Sequence, residues 1–290
     1  MLKSRVFIRS YILNMLPEAV WLAEDWNMLF GDGNGENLLG ITNHTGVLPV
    51  ESIIKDTIIK GEAGSVKSVE SHNGGKDTIV EFTKPYDLML NGMVITFANA
   101  AVVTDLNKAN PIIKMNDRQI LLKGVAFAGE ETAIANMTFT VNNSFFQSIE
   151  APNSEDVIKT AFAVMTYAQY YPNAITLNPS DVNAMESEKD TTGRNLGIIK
   201  VVNGVKHIAN RPIVESTGML PGKYFIGDMH MGASIVDYTN LALEWAEDVE
   251  TKLCNEVVLI ASEEVIFPVY NPWAFAYGDL AELKEAITKK

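Results

Sequence analysis

Arg211-Pro212-Ile213-Val214-Glu215, Met219-Leu220-Pro221-Gly222 and Phe225-Ile226-Gly227-Asp228 together decide how the rest of the chain is read. Two short apolar runs flank a Pro-Gly pair, and a Gly-Asp pair closes the unit. Runs this short and this apolar, with proline and glycine between them, read as two strands around a turn. Upstream, Leu177-Asn178-Pro179-Ser180-Asp181 is a turn that can cap a helix. Downstream, Asn271-Pro272-Trp273-Ala274-Phe275 breaks a long apolar stretch. None of these pieces looks like chemistry.

The whole chain has 290 residues, room for one large domain or two ordinary ones. At 47% hydrophobic and 20% charged it can bury a sizeable core. Its 36 acids against 23 bases give a formal net charge of -13, which argues against direct wrapping on nucleic acid. Cys254 is the single cysteine, so no internal disulfide exists. No apolar run is long enough to span a bilayer, and no membrane partner is expected. Met1-Leu2-Lys3-Ser4-Arg5 has the basic character of a signal-peptide start. The stretch behind it is broken by Arg9, Asn14 and Pro17, so a signal is not expected.

Residues 5–30 carry apolar side chains at spacings of mostly three or four and predict a long helix. Pro17 removes one donor and predicts a kink or a split. The helix should stop at Gly31-Asp32-Gly33-Asn34-Gly35. Asp32, Asn34 and Glu36 alternate like the start of a calcium loop, but Asn37 and Asn43 stand where glycine and glutamate are required. A plain turn is the expectation.

From Ile41 to Ile149 short apolar runs alternate with turn signals. The strands expected are Ser65–Glu70, Thr78–Phe82, Met93–Phe97, Ile112–Met115, Ile120–Leu122 and Met137–Val141, in a mostly antiparallel β module. Asn73-Gly74 and Asn91-Gly92 are hairpin-type dipeptides. A helix follows from a Ser154 cap, then a strand at Ala174–Leu177 and a helix over Val182–Lys189. Strands are expected at Gly197–Val202, Arg211–Glu215, Lys223–Ile226, Ser234–Tyr238, Leu241–Trp245 and Glu256–Val269, then a helix over Asp279–Lys289.

The search for an active site returns little. His44, His72, His207 and His230 are not at ligand spacing, and none is close in sequence to Cys254. Asp228 and His230 could form an acid–base pair, although residues two apart in a strand share a face for trivial reasons. The acidic runs Glu186-Ser187-Glu188, Glu247-Asp248 and Glu263-Glu264 read as solvated faces. No nucleophile elbow, phosphate loop or dinucleotide fingerprint is present. No catalytic residue, cofactor or metal is expected.

The order of the motifs resembles that of the major capsid proteins of tailed phages, the Hong Kong 97 fold. Asn178-Pro179, then Lys189-Asp190-Thr191-Thr192-Gly193-Arg194-Asn195-Leu196, is similar to the family's order, the second like its Lys-Asp-x-x-Gly-x-x-Leu. Arg211-Pro212-Ile213-Val214 is similar to its Gly-x-Pro-Val-Val, with Asn210-Arg211 where glycine is commoner. Pro221-Gly222, Gly227-Asp228 and the Pro272 to Phe275 ending follow. Near the N-terminus, Ala23-Glu24-Asp25, Phe30-Gly31-Asp32-Gly33 and Leu39-Gly40-Ile41 resemble the end of the family's spine helix and its loop.

The resemblance implies an α+β chain with a long spine helix, a mixed sheet, and peripheral and axial domains. It implies a self-assembling subunit that forms hexamers and pentamers of an icosahedral head in the virion, built in the bacterial cytoplasm. Other capsid or scaffolding proteins are further partners, and DNA is enclosed without sequence-specific binding. Residues 1–43 are then spine helix and loop, 44–150 an inserted β-rich domain, and 151–290 the remainder of the capsid core. In the family an N-terminal arm and an extended loop precede the spine helix, and the expectation here is that both are absent or lie in another polypeptide. Two alternatives are an encapsulin-type compartment shell and a ligand-binding module or hydrolase using Asp228 and His230.

Overall fold

The structure, a computed structural model, describes residues 5–55, 57–143, 148–246, 249–254 and 258–289. Met1 to Ser4, the acidic pair Glu247-Asp248 and the expected strand start at Glu256 lie outside them.

Helix α1 spans Arg5–Phe30 and runs through Pro17 as one element, where a kink or split was expected. Its middle is largely exposed, so the carbonyl that loses its donor to proline can be solvated. The helix stops where Gly31 N donates to Asn27 O at 2.9 Å and the chain folds back to Gly40. A one-turn helix, α2 (Val50–Ile53), follows.

Eight strands come next: β1 (Thr57–Gly61), β2 (Val66–His72), β3 (Asp77–Phe82), β4 (Val94–Ala98), β5 (Asn110–Pro111), β6 (Ile113–Asn116), β7 (Gln119–Leu122) and β8 (Thr138–Asn142). They form two four-stranded antiparallel sheets, ordered β1-β8-β4-β5 and β2-β3-β7-β6. The alternation read from sequence is visible in burial. Ile95, Phe97, Phe139, Val141, Val80, Phe82, Ile120 and Leu122 all point into the core. Phe82 of one sheet meets Phe139 of the other with ring centroids 4.9 Å apart. Asn73 and Gly74, both at positive φ, turn the β2–β3 hairpin. Asn91-Gly92 does not turn a hairpin. It precedes β4, which pairs with β8 and β5 rather than with β3, and Gly92 N donates to Ile112 O at 2.8 Å.

The C-terminal half comprises α3 (Ser154–Tyr167), β9 (Ala174–Leu177), α4 (Pro179–Glu186), β10 (Lys200–Val202), β11 (Val205–Ile208), β12 (Arg211–Glu215), β13 (Lys223–Gly227), α5 (Met229–Gly232), β14 (Val236–Ala246), α6 (Val249–Leu253), β15 (Val258–Ile266), β16 (Phe275–Asp279) and α7 (Leu280–Ile287). The cap of α3 is Asn153, not Ser154, because its amide oxygen and the Asp156 carboxylate complete a reciprocal capping box. Helix α4 starts earlier than expected, at Pro179, since Asn178 caps it and proline suits the first turn.

Six strands form one mixed sheet in the order β10-β11-β12-β9-β13-β16, with β12 and β9 parallel. The two strands of the opening stretch, β12 and β13, are therefore not neighbours. Strand β9 lies between them, and residues 216–222 cross over its end. The expected strands at Ser234–Tyr238 and Leu241–Trp245 are one long strand, β14, which pairs only with β15 as a two-stranded arm.

Strand β13 is buried on both faces. Tyr224 and Ile226 join a core that runs on through α3, α7 and α2 into the antiparallel sheets. Phe225, on the other face, joins a smaller cluster with Ile41, Met219, Ala274 and Phe275. The Tyr224 hydroxyl donates to the Glu51 carboxylate at 2.9 Å. Burial, then the nearby Glu51 charge, raises the Tyr224 pKa well above that of an ordinary tyrosine, so the phenol stays a donor.

Candidate functional site

Several of the motif residues meet around one ring. Phe275 is fully buried and stacks on Phe225, with centroids 5.7 Å apart and planes 18° apart. Glycines flank it. A Cβ on Gly227 would lie 2.5 Å from the ring, and one on Gly232 would lie 2.4 Å from it. Leu29 and Phe30 reach the same cluster from the end of α1, Ile41 from beyond the turn that follows it, and Phe267 and Val269 from the foot of the arm. Segments far apart in sequence thus share one small core.

Asp228 is buried just after β13. Its backbone N–H donates to Ala274 O at 2.9 Å. One carboxylate oxygen accepts from Tyr171 N at 3.2 Å and the other from Met231 N at 3.3 Å. Both oxygens are thus engaged by backbone donors, and Asp228 caps α5. His230 is exposed on that helix and does not touch the Asp228 carboxylate. The acid–base pair weighed from sequence does not form. Asp228→Ala is expected to cost about 1–2 kcal/mol by loss of the cap. His230→Ala is expected to stay within about 0.5 kcal/mol of the parent. Urea unfolding of both variants measures this, and a silent Asp228→Ala would remove the structural role assigned to it.

A second knot holds Pro221-Gly222. Asn178 Nδ2 donates to Met219 O at 2.7 Å, while its Oδ1 accepts from Ser180 N at 2.9 Å. Asp181 Oδ2 accepts from Gly222 N at 2.7 Å, and Leu280 N donates to Gly222 O at 2.9 Å. Gly222 has φ +79°, a region that favours glycine. The turn read from sequence is therefore clamped by the Asn-Pro-Ser-Asp turn upstream and by the start of α7.

The remaining motif positions are local. Asp190 Oδ1 accepts from Thr192 Oγ1, Thr192 N and Arg194 N within the Lys189–Asn195 turn, where Gly193 has φ +83°. Hydrogen bonding, first from Thr192, holds its pKa below the ordinary aspartate value. Lys189 is exposed. Asp32 accepts from Asn34 and Asn37, so its carboxylate is taken up by neighbours in the turn. Gly33 has φ +68°. Gly40 lies so close to Gly31 that a Cβ would sit 2.5 Å from Gly31 N. Pro212 lies in β12 opposite His207, and Pro272 opens the short turn before β16.

Sequence reading missed one acidic grouping. Glu24 on α1, Asp237 on β14 and Glu263 on β15 bring carboxylate oxygens within 4.8 Å of one another. Burial, then the charges of Glu263 and Asp237, raises the Glu24 pKa. The three come from distant segments, so spacing gave no signal, and nothing beyond their proximity points to a cation. A cleft of about 330 Å³ is lined by Asp87, Lys114, Asp117, Tyr170, Asn271 and Trp273 among others.

A model of the family described as "Phage capsid family" matches residues 121–280, more than half of the chain. No curated protein matches it. Among solved structures, a chain titled "Capsid of empty GTA particle computed with C5 symmetry" is 18% identical with a TM-score of 0.34. The likeness covers 46% of this chain and 47% of that one, so it spans about half the length of that structure.

Proposed function

The chain belongs to the phage capsid family, as a structural protein and not an enzyme, and we propose that it is the major subunit of an icosahedral phage or prophage head that tiles as hexamers and pentamers. The observation that carries this reading is the family match over residues 121–280. It takes in β12, β13, the arm and the Phe275 ring. The buried motif residues support it, since they act as packing and turn clamps around Phe275 and Gly222.

In this reading the fold is of the Hong Kong 97 type. Residues 1–43 supply the spine helix and its loop, 44–150 an inserted β-rich domain, and 151–290 the peripheral and axial parts. The family match starts within the second region, at residue 121. The shell encloses DNA without reading its sequence, and the formal net charge of -13 fits an inner wall that does not trap the polyanion. Scaffolding or other capsid proteins join during assembly in the bacterial cytoplasm, and the finished subunit resides in the virion.

Sedimentation of the purified chain with mass measurement tests the proposal. Species of five and six times 31.9 kDa, and larger closed particles, are the expected result. A folded chain that stays monomeric over all concentrations and salts, alone and with its genomic neighbours, would overturn it.

A further inference from the structure

An open acidic face and an open basic face lie on different parts of this chain. The first is on the arm. Cross-strand pairing puts Val236 opposite Ile266, Glu244 opposite Ile260 and Ala246 opposite Val258, so these residues share one face with Glu264. Val236, Val258, Ile260 and Ile266 are between 43% and 58% exposed there. A two-stranded ribbon with a bare apolar face is marginal by itself in water. Between residues 236 and 266 the sequence holds Asp237, Glu244, Glu250, Glu263 and Glu264 among its acids, against the single base Lys252.

The second face is at the outer edge of the six-stranded sheet. Strand β10 ends that sheet, and all three of its residues are exposed. Val202 pairs with Val205 and Lys200 with His207, which sets them on one face. Val202 and Val205 are 50% and 44% exposed. The stretch 189–211 reverses the charge of the chain as a whole, with Lys189, Arg194, Lys200, Lys206 and Arg211 against Asp190. Lys206 is taken up by Glu186 and Glu215. Among the described residues, Lys200 and Arg211 form no ion pair.

We propose that the outer face of the β14–β15 arm of one copy docks on the β10–β11 edge of a second copy, valine and isoleucine packing together and Glu244 and Glu264 facing Lys200. The proposal rests on the assembly reading above, and its partner follows from charge complementarity. A chain of net charge -13 repels its own copies unless contacts join regions of opposite sign, and the stretch 189–211 is a basic one. Two different patches make the contact heterologous, so it propagates into a ring instead of stopping at a dimer.

The test is charge reversal in the full chain, read by sedimentation velocity at low and moderate salt. Lys200→Glu and the Glu244→Lys, Glu264→Lys pair should each lower the assembled fraction about tenfold, with unfolding midpoints unchanged. The two sets combined in one chain should restore assembly. Val205→Asp should lower it without any compensating partner change. If wild-type chains assemble and the reversed variants assemble equally well, the docking is wrong and the shell reading stands. If the combined chain fails to recover while remaining folded, the docking is also wrong. A wild-type chain that never assembles defeats both.

Discussion

Phe275→Ala is expected to lower stability by about 3–5 kcal/mol, as truncation of a fully buried aromatic does when its surroundings cannot close. The ring has no exposed surface. Gly227 and Gly232 approach it too closely for any side chain, and Phe225 stacks on it. The glycines cannot fill a vacated site, so the cavity persists. The lost contacts also join the end of α1, β13 and the foot of the arm, which meet at this cluster. Urea unfolding followed by fluorescence measures the cost, and Phe275→Leu should recover part of it. The same cluster predicts damage from the opposite direction. Gly232→Ala would place a methyl 2.4 Å from the ring and force either the ring or α5 to move. A Phe275→Ala loss below about 1 kcal/mol would show that the cluster is not a joint of the fold.

Glu131→Ala is the second large loss expected, again about 3 kcal/mol or more, because it strands several buried donors at once. The Glu131 side chain is buried in the antiparallel module. Its Oε1 accepts from Ala101 N and Ala133 N, both at 3.0 Å, and its Oε2 from Val102 N and Val103 N, both at 2.9 Å. Burial by itself would raise its pKa. The backbone donors, Val103 first, outweigh that and hold the pKa below the ordinary glutamate value. With the folded pKa depressed, the stabilisation is complete above the unfolded value of about 4.3. It drains away as pH falls through the lower folded value. Wild-type protein should therefore weaken in the acid range below about pH 4.3, and Glu131→Gln should be flatter there. Unfolding free energies measured between neutral and acid pH check the sign. A Glu131→Gln variant as acid-sensitive as the wild type would contradict the assignment.

The elements with strong local signals were legible in the sequence. Strands β3, β4, β7 and β8 follow period-two burial, and α3 follows its apolar face from a capped start. Clamped turns were legible as turns, since Asn178-Pro179 and Pro221-Gly222 carry their own chemistry. Pairing was not legible. That β9 inserts between β12 and β13 depends on a parallel partner more than thirty residues away, which no local pattern encodes. Strand β11 was not foreseen, and β16 was read only as the end of a broken apolar stretch. Its Phe275 needs Gly227 and Gly232 beside it, and that is a tertiary fact. The acidic grouping of Glu24, Asp237 and Glu263 was invisible for the same reason. Asp228 was visible, but its role was not. Only the N–H groups of Tyr171 and Met231 show that its carboxylate is already occupied.

Electron microscopy of particles from cells expressing this chain together with its genomic neighbours tests the central claim most directly. The account predicts closed shells of uniform size, with this chain in six-fold and five-fold rings. Folded monomers with no rings or shells under any condition would contradict it.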